Sequence, residues 1–260
     1  MNFGVVNSGI LPALAVIVAG FAAGAINAVA AGGTLLAFPV LIAVGVPPWS
    51  ANIACTLGLL PGYAGGAWGY RDRFRGIEQV RNRLIVLALM GGVAGALALL
   101  RTPKESFAAV VPFLILLAVA LFIARPWIDQ RLTARSRKAG IVASLPITVI
   151  GVLCAAAYGS YFGAAVGVVF LAVLGAGLST TLAVDNALKS VLSLAAVISG
   201  AVVFVAAQRV DWPPVLLLIA SSALGGFWGA RVSRRIPDGV IRWLVIAVGL
   251  IAAAVLLVTR

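Results

Sequence analysis

The sequence predicts an all-α membrane protein made of two inverted-topology repeats, each of about five apolar segments. Three observations predict it. Of 260 residues, 63% are hydrophobic and only 10% charged, a balance outside the range of soluble domains. Apolar runs recur along the whole chain, and about 20 such residues cross a ~30 Å hydrocarbon core. A shift of 134 positions lays the second half on the first without a gap: Gly33 meets Gly167, Asn52 meets Asn186, Gly66 meets Gly200 and Pro103 meets Pro237. The triplet Gly91, Gly92, Gly95 likewise meets Gly225, Gly226, Gly229. A constant offset in so apolar a chain marks a duplicated unit, the plan of carriers built around a central site.

In order, the apolar segments of the first half are 8–30, 34–46, 49–70, 82–101 and 106–125. Those of the second are 140–158, 160–178, 182–207, 213–231 and 239–259. The second segment of each half is too short or too glycine-rich for a plain span. Segments one and two therefore read as a broken or re-entrant hairpin, tolerated where protein or a cavity covers its backbone. The expected organisation is a first transmembrane repeat over 1–125, a basic linker over 126–138 and a second, inverted repeat over 139–260. No charged n-region and no A-x-A site precede the first run, which reads as a retained span.

Charge sets the orientation. Fourteen of the 19 basic residues lie in three stretches: Arg71, Arg73, Arg75, Arg81 and Arg83; Arg125, Arg131, Arg135, Arg137 and Lys138; Arg231, Arg234, Arg235 and Arg242. The alternating loops hold only Arg101, Lys104 and Arg209, with Arg260 at the end. Placing the rich loops inside gives a zigzag with both termini outside and a cytoplasmic linker. Corresponding loops then fall on opposite sides, so the repeats are inverted. The net charge of +12 is thus topology rather than a nucleic-acid footprint. Pairs of G-x-x-x-G spacing (Gly20/Gly24, Gly62/Gly66, Gly91/Gly95, Gly159/Gly163/Gly167, Gly225/Gly229) mark close helix contacts, by packing alone or with sliding.

The chain has no histidine, which removes the commonest general base, metal ligand and proton shuttle. Cys55 and Cys154 sit in apolar segments without metal spacing and read as free thiols. No cofactor or metal is expected, and an enzyme is disfavoured. Among the seven acidic residues, Asp185 alone falls inside an apolar segment, with Lys189 four positions on. On a helix the two share a face and can pair. A charge at the bilayer centre costs about 2.5–3.5 kcal/mol, so such residues face an interior or a water-filled path; an interfacial pair snorkelling outward is the other reading.

The repeat overlays Asp185–Ser190 on Ala51–Thr56. Each half keeps an asparagine and, four residues on, a hydroxyl: Asn52 with Thr56, Asn186 with Ser190. Only the second half adds charges, Cys55 standing where Lys189 stands. Amides, hydroxyls and one ammonium suit a small oxyanion; bridging between helices accounts for the amides as well. Gly32, Gly33 and Thr34 would add a backbone edge at an interrupted helix, with Thr34 capping the next segment. A tight packing turn would explain the same glycines.

The stretches Gly24-Ala-Ile-Asn-Ala-Val-Ala-Ala-Gly-Gly-Thr34, Phe38-Pro39, Gly45-Val-Pro-Pro48, Ala51-Asn52, Leu60-Pro61-Gly62 and Gly69-Tyr70-Arg71 resemble the first-repeat signature of the sulfite exporter TauE/SafE family. Asn186-Ala-Leu-Lys189-Ser-Val-Leu resembles its second-repeat motif. Ala31 and Ser193 depart from the family pattern, standing for a glycine and an asparagine. The resemblance implies transport of sulfite or an organosulfonate, often as export from bacterial cells.

The combined expectation is a secondary transporter of the bacterial inner membrane, working by alternating access around a midplane site. Asn52, Thr56, Asn186, Lys189 and Ser190, with Gly32, Gly33 and Thr34, would bind a small sulfur-containing anion. Asp185 would tune Lys189 or take and release a coupling proton, sodium being the other coupling ion. Besides substrate, the partner is the lipid bilayer, and not nucleic acid. The competing reading is a carrier or channel for another oxyanion or a carboxylate.

Overall fold

The computed structural model describes residues 9–29, 32–74, 76–136, 144–178, 180–232 and 238–258. Ala31, Arg75, Arg137, Lys138, Arg234, Arg235, Pro237 and Arg260, used above, lie outside them. The described chain forms α1 (Ile10–Val29), α2 (Thr34–Ala43), α3 (Pro48–Gly58), α4 (Leu60–Gly69), α5 (Glu78–Arg101) and α6 (Lys104–Ser136). Then come α7 (Leu145–Tyr161), α8 (Val166–Gly177), α9 (Leu182–Ala206), α10 (Trp212–Val232) and α11 (Asp238–Val258). A short 3₁₀ turn, Arg71–Phe74, precedes α5, and no strand occurs among the described residues.

The duplicated spacing reappears in the elements. Helices α3, α5 and α6 start at Pro48, Glu78 and Lys104; α9, α10 and α11 start 134 residues later, at Leu182, Trp212 and Asp238. Packing partners exchange in the same way. Helix α1 packs on α10 while α5 packs on α7, and α2 meets α11 while α8 meets α6. Glycines permit the closest crossings. A Cβ at Gly95 would lie 2.0 Å from the Ala157 carbonyl oxygen, and one at Gly229 would lie 2.4 Å from Ala25 Cα. The Gly91/Gly95 and Gly225/Gly229 pairs are therefore helix crossings in both halves, whereas Gly163 lies in a turn.

Among the described residues, five helices are long and apolar enough to cross a membrane: Ile10–Ala28, Glu78–Arg101, Lys104–Arg131, Leu182–Ala206 and Trp212–Gly229. At 1.5 Å per residue, α2 and α8 reach only about 15–18 Å, too short for a ~30 Å core. Each closes a hairpin with the helix before it. The turn of the second hairpin holds two left-handed residues, Gly163 (φ 77°) and Ala165 (φ 60°).

Two elements differ from the sequence expectation. Segment 49–70 is broken into α3 and α4 at Leu59. Pro61 has no N–H to offer the Leu57 carbonyl, and its ring opposes a continued helix. The Ser222 hydroxyl of α10 donates to the Gly58 carbonyl at 2.5 Å, satisfying one acceptor at the break. In α9 the position of Pro61 is Ala195, and the helix runs on. The basic stretch 126–138, expected as a linker, is helical up to Ser136 as the end of α6. With 33 residues, α6 extends about 50 Å, so its basic end reaches past the hydrocarbon. There Arg125 lies 3.7 Å from Asp129, and Arg131 stacks 3.9 Å over the Trp127 ring.

The ends of α5 serve as landmarks. Trp49 Nε1 donates to the Leu99 carbonyl at 3.4 Å, holding the α2–α3 junction against the C-terminal end of α5. The α8–α9 junction sits at the opposite end: Leu178 and Thr180 face Ile77, Val80 and Leu84 across a cavity of about 480 Å³.

Candidate functional site

Several buried hydroxyls, Ser160, Ser199, Ser221 and Ser222 among them, only bond backbone carbonyls. The sequence-predicted site residues fall in three groups. The first lies at the start of α9. Asp185 and Lys189 are 2% and 1% exposed, although both carry charges in an apolar helix. They do not meet each other as the i, i+4 spacing predicts. Asp185 accepts a short hydrogen bond from the Thr180 hydroxyl. Lys189 Nζ donates to Asn186 Oδ1 at 2.9 Å. The Asn186 amide nitrogen in turn donates to the Leu182 carbonyl at 2.9 Å, which fixes its oxygen toward the ammonium. Ser190 donates back to the Asn186 carbonyl at 2.9 Å. Thr181 caps the helix, accepting from the Val184 N–H at 3.4 Å.

The second group sits in α3, which is buried from Ala51 to Gly58. Asn52 Nδ2 donates to the Tyr161 carbonyl at the end of α7, at 2.8 Å, while Asn52 Oδ1 is buried without a hydrogen-bond partner. Thr56 donates back to the Asn52 carbonyl at 2.9 Å, as Ser190 does to Asn186. The Asn–hydroxyl pairs thus share one local geometry in both halves, while their amides point to different partners. Asn52 bridges helices; Asn186 orients a charge.

The third group lies at the α1–α2 turn, where the sequence suggested Gly32, Gly33 and Thr34. Both glycines are packing requirements. A Cβ at Gly32 would fall 2.1 Å from the Phe122 ring, and one at Gly33 2.2 Å from the Ala23 carbonyl oxygen. The Gly33 N–H is not open to an anion, because it donates to Asn27 Oδ1 at 2.7 Å. Thr34 does not cap α2: it is the first helical residue, behind an N-cap Gly33 without a side-chain cap bond. Thr34 and Asn27 instead stand beside the Tyr63 hydroxyl of α4. Asn27 Nδ2 and the Tyr63 hydroxyl are both buried without a hydrogen bond of ordinary geometry.

Sequence reasoning passed over Asn27, Tyr63 and Thr180. The first was visible as an amide in the middle of an apolar segment. Comparing the halves hid it, since Tyr161 stands at the corresponding place. Among the described residues, no cluster of three or more His, Cys, Asp or Glu could hold a metal ion.

A family model described as Sulfite exporter TauE/SafE matches residues 16–256. The chain belongs to the sulfite exporter TauE/SafE family. Its relatives include the probable membrane transporter protein YfcA of Escherichia coli strain K12, 26% identical over 236 residues, which cover 90% of this chain and 86% of that protein. The probable membrane transporter protein ORF9 of a Sinorhizobium species is 29% identical over 224 residues, covering 84% of this chain and 80% of that one. No solved structure matches. As a TauE/SafE member with five membrane-length helices, the protein is a multi-pass membrane transporter.

Proposed function

We propose that this TauE/SafE transporter is a secondary carrier of a small anion, sulfite or an organosulfonate, held near the bilayer midplane between two inverted repeats. The observation that carries the reading is Lys189, an ammonium enclosed in the bundle and oriented by Asn186. An enclosed charge is costly in hydrocarbon and is kept where it serves a path or a ligand. An oxyanion arriving there exchanges its water shell for an ammonium and hydroxyls, with charge-assisted bonds offsetting the lost hydration.

Three features support inversion and alternating access. The α2–α3 and α8–α9 junctions lie at opposite ends of α5. The exchange of packing partners between the halves is what a two-fold relation produces. The arginine-rich ends, with Arg71 over Trp68 at 4.9 Å and Arg131 over Trp127 at 3.9 Å, suit a cytoplasmic interface. On this reading both termini face the periplasm of a bacterial inner membrane, and transport runs as export. Asp185, held by Thr180, takes up and releases the coupling proton.

The test is uptake of ³⁵S-sulfite into proteoliposomes under an imposed proton gradient. Lys189→Ala is expected to lower flux at least a hundredfold while the purified protein keeps its helical content. Undiminished flux would remove Lys189 from the site. Rapid downhill flux with no accumulation against a gradient would make the protein a channel.

A further inference from the structure

Two donors of the α1–α2 turn are left over by the reading so far. Asn27 and Tyr63 are 4% and 3% exposed, and neither Asn27 Nδ2 nor the Tyr63 hydroxyl has a hydrogen bond of ordinary geometry. Leaving such a group buried and unmet forfeits its hydration with nothing in return. The amide is not free to turn and escape that cost. Gly33 N–H holds Asn27 Oδ1 at 2.7 Å, so Nδ2 must present its hydrogens elsewhere. Tyr63 and Thr34 stand on that same cluster. A Cβ at Gly62 would lie 3.0 Å from Gly24 and 3.3 Å from the Asn27 side chain, so α4 seats Tyr63 tightly against α1.

The cluster belongs to one half only. The repeat puts Tyr161, Val168 and Val197 where Asn27, Thr34 and Tyr63 stand. Conversely, Asp185 and Lys189 replace Ala51 and Cys55. Of the helices that carry the cluster, α4 lies beside α9: Ala64 and Ala67 of α4 share a wall with Val191 and Leu194 of α9.

We propose that Asn27 Nδ2 and the Tyr63 hydroxyl are direct ligands of the transported oxyanion, donating to its oxygens, with Thr34 as a third donor. This rests on the anion-carrier reading and adds its specificity. Lys189 supplies charge, which any small anion satisfies. Two oriented neutral donors require a head group with several oxygen acceptors, a sulfonate, sulfite or carboxylate, and discriminate against halide.

Binding of sulfite, methanesulfonate, acetate and chloride to purified wild-type and variant protein, by thermal shift and titration calorimetry, tests this. Tyr63→Phe keeps the packed ring and removes only the hydroxyl. It should weaken sulfite and methanesulfonate binding roughly tenfold, leave chloride unchanged and leave the ligand-free melting temperature within about 2 °C. Asn27→Asp keeps the acceptor for Gly33 N–H and replaces the donor by an oxygen, so its loss should exceed that of Tyr63→Phe. Sulfite affinity within twofold of wild type in both variants overturns the proposal, while leaving the carrier reading intact if Lys189→Ala still abolishes binding. Equal losses for chloride and sulfite would reduce the pair to a structural role. Wild-type protein that binds none of the four anions overturns the carrier reading and this inference together.

Discussion

The α3–α4 pair and α9 are the same stretch of the repeat, and they have been put to different uses. Helix α9 is continuous over 25 residues and carries Asp185 and Lys189. Its counterpart is broken at Leu59, holds Ala51 and Cys55 at those positions, and leans on Ser222 of α10 to satisfy a freed carbonyl. What the halves share is packing: glycine crossings, helix starts and the Asn–hydroxyl back-bonds. What they do not share is charge. The scaffold is common to both halves and the buried side chains are not: one half holds an ammonium, the other neutral donors and a break.

The most severe way to break this comparison is to give the first half the charge it lacks. Cys55 is 2% exposed in an apolar surrounding. Cys55→Lys buries an ammonium in a surrounding packed for a thiol, with Asn52 Oδ1 as its one evident acceptor, at a cost of several kcal/mol. The variant should fail to yield monodisperse protein in size-exclusion chromatography; a well-folded, active Cys55→Lys would mean that the halves are electrostatically interchangeable.

Packing, by contrast, should respond equally on both sides. Gly95→Ala and Gly229→Ala force a Cβ against the backbone of a neighbouring helix, at 2.0 and 2.4 Å respectively. Overpacking of this kind costs about 1–3 kcal/mol. Both variants should lower the melting temperature in detergent by similar amounts. A drop confined to one would show that the crossings are not equivalent.

Asp185→Asn retains an oxygen for the Thr180 hydroxyl while removing the charge. Sulfite binding should stay within about threefold, since only a neutral-for-ionised acceptor is exchanged, whereas pH-gradient-driven flux should disappear. Intact proton-driven flux would end the coupling role. The mildest change is Pro61→Ala, which restores an N–H and lets α3 run into α4. Stability should fall by up to about 1 kcal/mol, because the unfolded chain regains the freedom proline removes, with slower transport if the break serves as a hinge. Unaltered flux would make the break a packing feature only.

Much of the fold was legible because the bilayer allows few answers. Each apolar segment maps onto a helix or a broken helix, and the glycine spacings name the crossings. Two features were not read correctly. Leu60-Pro61-Gly62 carries the signal of a helix start, proline at its first turn, yet hydropathy ran through it as one span. Arg125–Ser136 reads as a loop because its charges end the apolar run, although its arginines, leucine and alanine favour helix. At the site, position left Asp185 and Lys189 either enclosed or snorkelling outward; both are buried, and their partners were not legible either. Helical spacing permits an ion pair; Thr180, from the turn before α9, and Asn186, one residue after Asp185, take the two charges instead. Asn27 and Tyr63 could not be joined from sequence, because the contact between α1, α2 and α4 is tertiary.

The central claim is that an anion reaches an enclosed ammonium from either side of the membrane. Ser190 adjoins Lys189, is 8% exposed and bonds only within its own helix turn among the contacts described. In a background with Cys55 and Cys154 replaced by alanine, Ser190→Cys can be probed with a membrane-impermeant thiosulfonate in oriented vesicles. The account predicts labelling from both faces, slowed severalfold by sulfite, with that protection lost when Lys189→Ala is added. Labelling from one face only, or protection by sulfite that persists without Lys189, would contradict it.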